Sequence, residues 1–253
     1  MEGTKMRTIL AAVLVAFLAG CASGPAQLSG DQVAAIVAAP DRSEADRVND
    51  RRRKAVEMLA FIDARPGMLV LDMGAGGGYT TELLARAVGP KGRVHAQNSG
   101  YWMETFVKTR FTERMQSPAM GNVTLNVLPF DNPIPKEVKP GTLDLVTFLF
   151  NYHDMGWAGT DRARMNKAVF DALKPGGTYV IADHSGRPGT GISESKSLHR
   201  IEESFLRREL EAAGFRLVAE ASFLRNPGDP RDKSVFKPAQ PNDEFVLKFR
   251  KPD

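Results

Sequence analysis

The sequence is poor in cysteine: Cys21 is the only one in 253 residues, which excludes a disulfide within one chain and leaves a single thiol to account for. It also lacks a dominant charge. Thirty-four Lys and Arg stand against thirty Asp and Glu, a formal net charge of +4. The two signs are interleaved, so composition alone calls for no nucleic-acid-binding surface. No internal repeat is evident, and no low-complexity segment beyond the first part of the chain. The apolar run Ile9–Leu18 is too short to cross a bilayer as a mature helix. What remains is an ordinary globular composition, 42% hydrophobic and 25% charged, sufficient for one large α/β domain with its own core.

The start of the chain carries an address. Lys5 and Arg7 precede the apolar run, and Leu18-Ala19-Gly20-Cys21 follows it, the order of a secretory signal. Leu-Ala-Gly-Cys resembles the bacterial lipobox. That resemblance implies a signal peptide over residues 1–20, cleavage before Cys21 and lipidation of its thiol. The thiol would then be lost to catalysis or metal binding, and the acyl chains would anchor the protein to the membrane. Ala22 after the cysteine points to a periplasm-facing, outer-membrane lipoprotein. Residues 21–45 are small, polar and proline-punctuated and read as a tether, with room for a short helix at Asp31–Ala38.

The rest is organised around Val70-Leu71-Asp72-Met73-Gly74-Ala75-Gly76-Gly77-Gly78-Tyr79-Thr80. A short apolar strand ends in an acid, glycines make a turn, and Tyr79–Val88 continues as a helix. Glycines let a backbone turn sharply and approach a ligand where a Cβ would clash. The spacing is not Gly-x-Gly-x-x-Gly, and no Lys-Ser/Thr follows to make a phosphate loop.

Upstream, residues 46–64 have helical spacing, ended by Arg65-Pro66-Gly67. The charged half of that helix reads most simply as a solvated face, with a lid over the site as the functional alternative. Downstream, strands are expected at Arg93–Gln97, Val123–Leu128, Leu143–Phe150, Thr178–Asp183, from Gly214, and at Glu244–Phe249. Helices are expected at Trp102–Met115, Asp161–Leu173 and Glu202–Ala213. His184–Lys196 reads as a flexible loop rich in Gly and Ser. Leu143–Phe150 is nearly continuous in apolar residues, as a central parallel strand should be.

The glycine turn resembles the first motif of the class I S-adenosylmethionine-dependent methyltransferases. So do Leu173-Lys174-Pro175-Gly176-Gly177 before a strand and Ala212-Ala213-Gly214-Phe215. Further strings resemble an exported branch of predicted methyltransferases: Asp46-Arg47, Asn151-Tyr152-His153-Asp154, Asp183-His184, Leu198-His199-Arg200-Ile201 and Arg225-Asn226-Pro227. The resemblance covers residues 46–253. It implies an α/β domain with a doubly wound, mostly parallel seven-stranded sheet, helices on both faces and an antiparallel last strand. It also implies S-adenosylmethionine as cofactor, held by Asp72, Gly74, Gly76, Gly78, Tyr79, Asn98, Asp131 and Asn151. In the family an acid near the end of the second strand usually holds the ribose, whereas this chain has Gln97-Asn98-Ser99.

Ligands in such sheets sit at the carboxyl ends of the strands. Three of the four histidines fall there, in Asn151-Tyr152-His153-Asp154, Asp183-His184-Ser185 and His199-Arg200. His153 is the first candidate for a base taking a proton from the methyl acceptor, and His184 the second. Asp154 and Asp183 would orient them, and Arg200 would hold an anionic group of the substrate. Tyr79, Trp102 and Tyr152 could offer rings to the sulfonium, though packing suits Trp102 better. The substrate is expected to be a small molecule or an envelope component. Two other readings stay open: a non-catalytic ligand-binding lipoprotein on this scaffold, or a metal-dependent enzyme. His153, Asp154, Asp183, His184 and His199 are an N/O set suited to zinc, iron or manganese. Their spacing matches no recognised metal motif, so no metal is assigned from sequence.

Overall fold

The computed structural model describes residues 26–236 and 241–253. The expected signal segment and Cys21 lie outside the described residues. The chain begins with α1 (Gly30–Val37), capped by Ser29, then α2 (Glu44–Arg53) and α3 (Ala55–Ile62). β1 (Leu69–Met73), α4 (Tyr79–Val88) and β2 (Arg93–Asn98) follow. Next, α5 (Gly100–Trp102) runs through a π-helical stretch, Met103–Val107, into α6 (Lys108–Arg114). β3 (Val123–Val127), β4 (Leu143–Leu149), α7 (Arg162–Ala172) and β5 (Leu173–His184) come next, and α8 (Glu203–Ala212), β6 (Arg216–Ala221) and β7 (Glu244–Arg250) complete the chain.

The seven strands form one sheet in the order β3-β2-β1-β4-β5-β7-β6. Pairings among β1 to β5 are parallel; β7 is antiparallel to both β5 and β6. The order reverses between β1 and β4, so the crevice at their carboxyl ends is where a ligand is expected. Side chains alternate between the sheet's faces. Leu71, Met73, Val146 and Phe148 pack with Met165, Val169, Leu206 and Leu210 of α7 and α8. Val70, Leu145, Leu149 and Val180 pack with Met58, Leu59, Leu83 and Leu84 of α3 and α4. The expected doubly wound architecture is the one found.

Four local expectations need correction. The tether does not extend to residue 45, because Val33 and Val37 of α1 are buried in the same core as α3 and α4. The helix of residues 46–64 is two helices, broken at Lys54, which takes a left-handed conformation (φ 50°). The break turns charged α2 over the carboxyl edge while apolar α3 stays in the core. β5 starts at Leu173, before the expected Lys174–Gly177 turn, with a register shift opposite Leu143 and Leu145. Finally, the Gly- and Ser-rich loop is stapled down: Gly186 donates to the Ile201 carbonyl at 2.7 Å, and the Glu202 carboxylate accepts from Gly189 and Gly191. Among the described residues no helix is long and apolar enough to cross a membrane.

Candidate active site

β1 delivers Asp72 to the sheet edge fully buried. Its carboxylate accepts from the hydroxyls of Thr81 at 2.6 Å and Thr147 at 2.7 Å. Burial outweighs these two bonds and pushes the Asp72 carboxyl up to about 6. The turn beyond it has positive φ at Gly74, Gly76 and Gly78. A Cβ on Gly74 would lie 2.9 Å from both Asn151 and the Phe148 ring, while one on Gly76 would meet only its own loop, at 3.9 Å. Gly74 therefore has to be small for packing; Gly76 is bare toward open space.

The amides at the end of β2 brace this turn. Gln97 Oε1 accepts from the Gly74 N–H at 3.1 Å and Asn98 Oδ1 from the Gly76 N–H at 2.9 Å. Asn98 Nδ2 donates back to the Gly76 carbonyl at 3.1 Å. A carboxylate could accept but could not make that second bond. Here lies a physical reason for amides at the end of β2: they hold the turn. Asn98 is fully buried in that role and does not line the cavity above.

That cavity, about 560 Å³, opens over the turn. Its floor is Asp72 and Gly74–Gly77, and Tyr79, Phe150 and Asn151 form walls. α2 forms the roof. Arg114 pairs with Asp46 through two bonds of 2.7 and 2.8 Å, donates to the Gly77 carbonyl at 2.8 Å and contacts Glu82. Arg42 pairs with Asp50 at 2.7 and 2.8 Å, and Asp50 also accepts from the Tyr79 hydroxyl at 2.7 Å. Asp46 is 3% exposed and Asp50 is tied to Arg42 and Tyr79, so one side of the expected charged helix serves as a lid, while Arg51 and Arg52 remain exposed.

Arg53 is the exception in this network. Its guanidinium carbon lies 4.7 Å from the Phe150 ring centre and 5.3 Å from that of Tyr79. Among the described residues it has no ion-pair partner, and its buried Nε has no acceptor. Burial, helped by neighbouring Arg52, brings its pKa down to about 10. Glu244 and Asp72 attract it only from beyond ion-pair distance, so the guanidinium can accept an anionic ligand group. Phe150 beside it is held at φ 61°, a conformation bulky residues rarely adopt, and its N–H donates to the Ala182 carbonyl at 2.6 Å.

The histidine edge is a separate assembly behind Phe150. His153 is 3% exposed; its Nδ1 lies 2.6 Å from Asp183 and its Nε2 3.1 Å from Asp154. Burial opposes a charge there, but the two carboxylates prevail and raise the imidazole to about 10. Both ring nitrogens of His153 face carboxylates, and the residue, expected as a base, does not line the cavity. His199 Nδ1 also reaches Asp154, at 3.1 Å. His184 packs its ring 5.5 Å from that of His153 and 5.4 Å from that of Phe150.

The other expected residues divide in the same way. Asp72, Gly74, Gly76, Tyr79 and Asn151 line the cavity; Gly78 and Asp131 do not. Gly78 packs against Arg114 and Phe111. Asp131 stands half-exposed, 3.9 Å from Arg164. Arg200 is buried and bonded to the carbonyls of Lys233 and Ser185, to Asp229 and to Asn242, so it holds the fold together and not a substrate anion. Tyr152 is buried on Glu209 and Asn166, and Trp102 packs on Phe130. Arg114 and Phe150 are site residues that the sequence reading misses; Asp46 and Arg53 enter it only through the lid alternative, for which the basic run 51–54 beside an apolar helix is the signal.

Comparison with known proteins agrees with this geometry. A family model described as protein-L-isoaspartate(D-aspartate) O-methyltransferase matches residues 49–112, which contain the second half of the roof helix, the turn and β2. The ubiquinone/menaquinone biosynthesis C-methyltransferase UbiE of Hydrogenovibrio crunogenus is 28% identical over 134 residues, 53% of this chain and 48% of that protein. A protein-L-isoaspartate O-methyltransferase of Aeropyrum pernix is 56% identical over 39 residues, 15% of each. The chain spans about half the length of the curated UbiE relatives it matches. Among solved structures, an S-adenosylmethionine-dependent methyltransferase from Aquifex aeolicus aligns over 89% of this chain and all of its own, at TM-score 0.58 and 18% identity. The [4+2]-cyclase SpnF aligns over 82% of this chain and 81% of its own, at TM-score 0.59 and 16% identity. The fold is the Rossmann-like methyltransferase fold, and the matches support S-adenosylmethionine as its cofactor.

Proposed function

We propose that this chain binds S-adenosylmethionine in the cavity over the glycine turn and transfers its methyl group to a small molecule or a component of the cell envelope. One observation carries the reading: a cavity of about 560 Å³, within the size range of small-molecule and cofactor sites, has a glycine-rich floor on one side and Arg53, without an ion-pair partner among the described residues, on the other. Arg53 would take the cofactor's carboxylate, Asp72 on the floor would face its cationic groups, and the Tyr79 ring forms a wall. When bound, the cofactor supplies an activated methyl group with its own leaving group.

The protein's task is then alignment. The α2 roof, tied down by Arg114 and Arg42, keeps bulk water from the floor. Asn151 donates to the Gly74 carbonyl at 3.0 Å and so fixes the end of β4 against the turn. No histidine lines the cavity among the described residues, which favours acceptors that are already nucleophilic at neutral pH.

A second reading, ligand binding without turnover, draws on Gln97 and Asn98: both are committed to the turn, leaving no acid at the place where the family holds the ribose. Calorimetry with S-adenosylmethionine and S-adenosylhomocysteine tests the cofactor directly. Micromolar affinity, on the order expected for enzyme cofactors, supports the first reading. Absence of both heat and thermal shift with either compound refutes it. Binding with no label transferred from methyl-labelled cofactor to envelope extracts would favour the second.

The signal-like amino terminus supports export and membrane attachment through a lipidated Cys21, and hence a substrate outside the cytosol. Cys21→Ser should move the protein from the membrane fraction to the soluble one.

A further inference from the structure

We propose that His153, Asp154 and His199 form a binding site for one divalent first-row transition ion, zinc being the natural probe, separate from the cofactor cavity. Their donor atoms all lie within 4.8 Å of one another. Asp154 Oδ1 is 3.1 Å from His153 Nε2 and 3.1 Å from His199 Nδ1. Ligands about 2.0–2.1 Å from a common zinc ion sit roughly 3.0–3.4 Å apart, so both separations suit neighbouring ligands on one ion.

Two independent features favour an ion over a plain hydrogen-bond network. First, the Asp154 Oδ1 atom is oversubscribed. It accepts from the Trp157 indole at 2.8 Å as well as facing both imidazoles, and a carboxylate oxygen has only about two lone-pair sites. If the two imidazoles present lone pairs to a cation instead of protons to the oxygen, the crowding disappears. Second, His153 has the outer support typical of a metal-bound histidine. Asp183 lies 2.6 Å from Nδ1, which directs Nε2 to the ion position. Asp183 is itself fully buried and fixed by the N–H groups of His153 and His184, each at 2.8 Å.

His199 is held for the same purpose. It sits at φ 54°, between Leu198, which bonds Glu194, and Ile201, which bonds the His184 carbonyl at 3.1 Å. Strained backbone of this kind is maintained only where the surroundings over-determine it. Two imidazoles and one carboxylate leave coordination positions for water or an oxygen of a substrate, in the manner of catalytic and not closed structural sites. His184 is not a ligand: its Nδ1 faces Glu244 at 2.9 Å. The five-residue set suggested by sequence thus reduces to three ligands and one supporting carboxylate.

The test uses the tag-free full chain stripped with chelator, titrated calorimetrically with Zn²⁺ and followed spectroscopically with Co²⁺. One equivalent should bind with a Kd of about 1 μM or tighter, a modest value for three protein ligands. His199→Asn, chosen because Asn tolerates positive φ, and the isosteric Asp154→Asn should each weaken binding at least about 30-fold. Asp183→Asn should weaken it about 10- to 100-fold, and His184→Gln less than about threefold. Circular dichroism confirms that each variant is folded. A Kd for Zn²⁺ above about 10 μM, or affinity unchanged in folded His199→Asn and Asp154→Asn, overturns the proposal. S-adenosylhomocysteine titrated into the same stripped protein reports on the cofactor cavity independently, so either site can fail without the other.

Discussion

Two arginines at the carboxyl edge of the sheet, one buried and one half-buried, show how differently its two regions are built. Arg200, near the histidines, is 1% exposed and its guanidinium meets two carbonyls, a carboxylate and an amide oxygen. Arg53, over the glycine turn, has two aromatic rings and no counter-ion. A desolvated charge without an ion-pair partner is costly, and a ligand's opposite charge would offset that cost. The difference therefore separates the region that holds itself together from the one that awaits something.

The largest expected effect breaks that comparison open. Arg200→Met leaves Asp229 buried without its cation and should destabilise the protein by about 3–5 kcal/mol, read from urea unfolding. Arg53→Met removes an uncompensated desolvation and should leave stability unchanged or slightly raised. Its cost should fall on ligand: S-adenosylhomocysteine binding weakens by about 10- to 100-fold, the loss of one charge-assisted contact. If Arg53→Met unfolds the protein while Arg200→Met does not, the two roles have been exchanged.

Next in size is the titration of Asp72. Its carboxyl keeps its proton to about pH 6 in the folded protein, whereas in the unfolded chain it ionises near its ordinary value of 3.8. Between those values the folded state binds more protons, so this residue's contribution to stability falls as pH rises through the window and stays lower above it. Asp72→Asn cannot titrate. From pH 4 to pH 7 the variant should therefore gain about 2 kcal/mol relative to the parent. Parallel stability profiles for the two proteins would show that Asp72 is not desolvated as described.

Much of this was legible in the chain, and the limits have physical causes. The glycine turn and the succession of strands and helices could be read because local periodicity and turn residues carry that information, while the antiparallel end was implied by the family resemblance. The departure at Gln97 and Asn98 was visible too, but not its purpose, which depends on N–H groups more than twenty residues earlier. The arginines were the hardest case. Arg200 was expected at a substrate and Arg53 on a solvated face, because the partners that satisfy Arg200 come from residues 229, 233 and 242. Which cation is left unpaired is a property of the packed molecule and not of its sequence neighbourhood.

Gly74 ties the two regions together, and altering it sharpens the contrast further. A methyl group there meets Asn151 and Phe148 at 2.9 Å with φ at 57°. Gly74→Ala should cost roughly 2 kcal/mol or more in stability, from overpacking and left-handed strain together. Because Asn151 is displaced from the turn, cofactor-analogue binding should fall by about 100-fold or more, well beyond the stability loss. Gly76→Ala keeps the left-handed penalty without the clash. A stability loss in Gly74→Ala no greater than in Gly76→Ala would mean that the close approach to β4 is not what demands glycine.

The smallest expected effect concerns the hinge that lets both regions exist. Lys54 is exposed and left-handed at φ 50°, ending α2 and starting α3. Without that break, a straight helix could not place Asp46 and Arg53 over the turn while Met58, Leu59 and Ile62 enter the core. A residue with a Cβ is strained in this conformation by about 1 kcal/mol, and glycine is not. Lys54→Gly should therefore stabilise the protein by roughly 0.5–1 kcal/mol, the relief being partly offset by the freer unfolded chain. It should leave S-adenosylhomocysteine affinity within about twofold, since no atom of the Lys54 side chain lines the cavity. A loss of stability instead would mean that the two helices are continuous in solution, and the lid would then have to be held in place by its ion pairs alone.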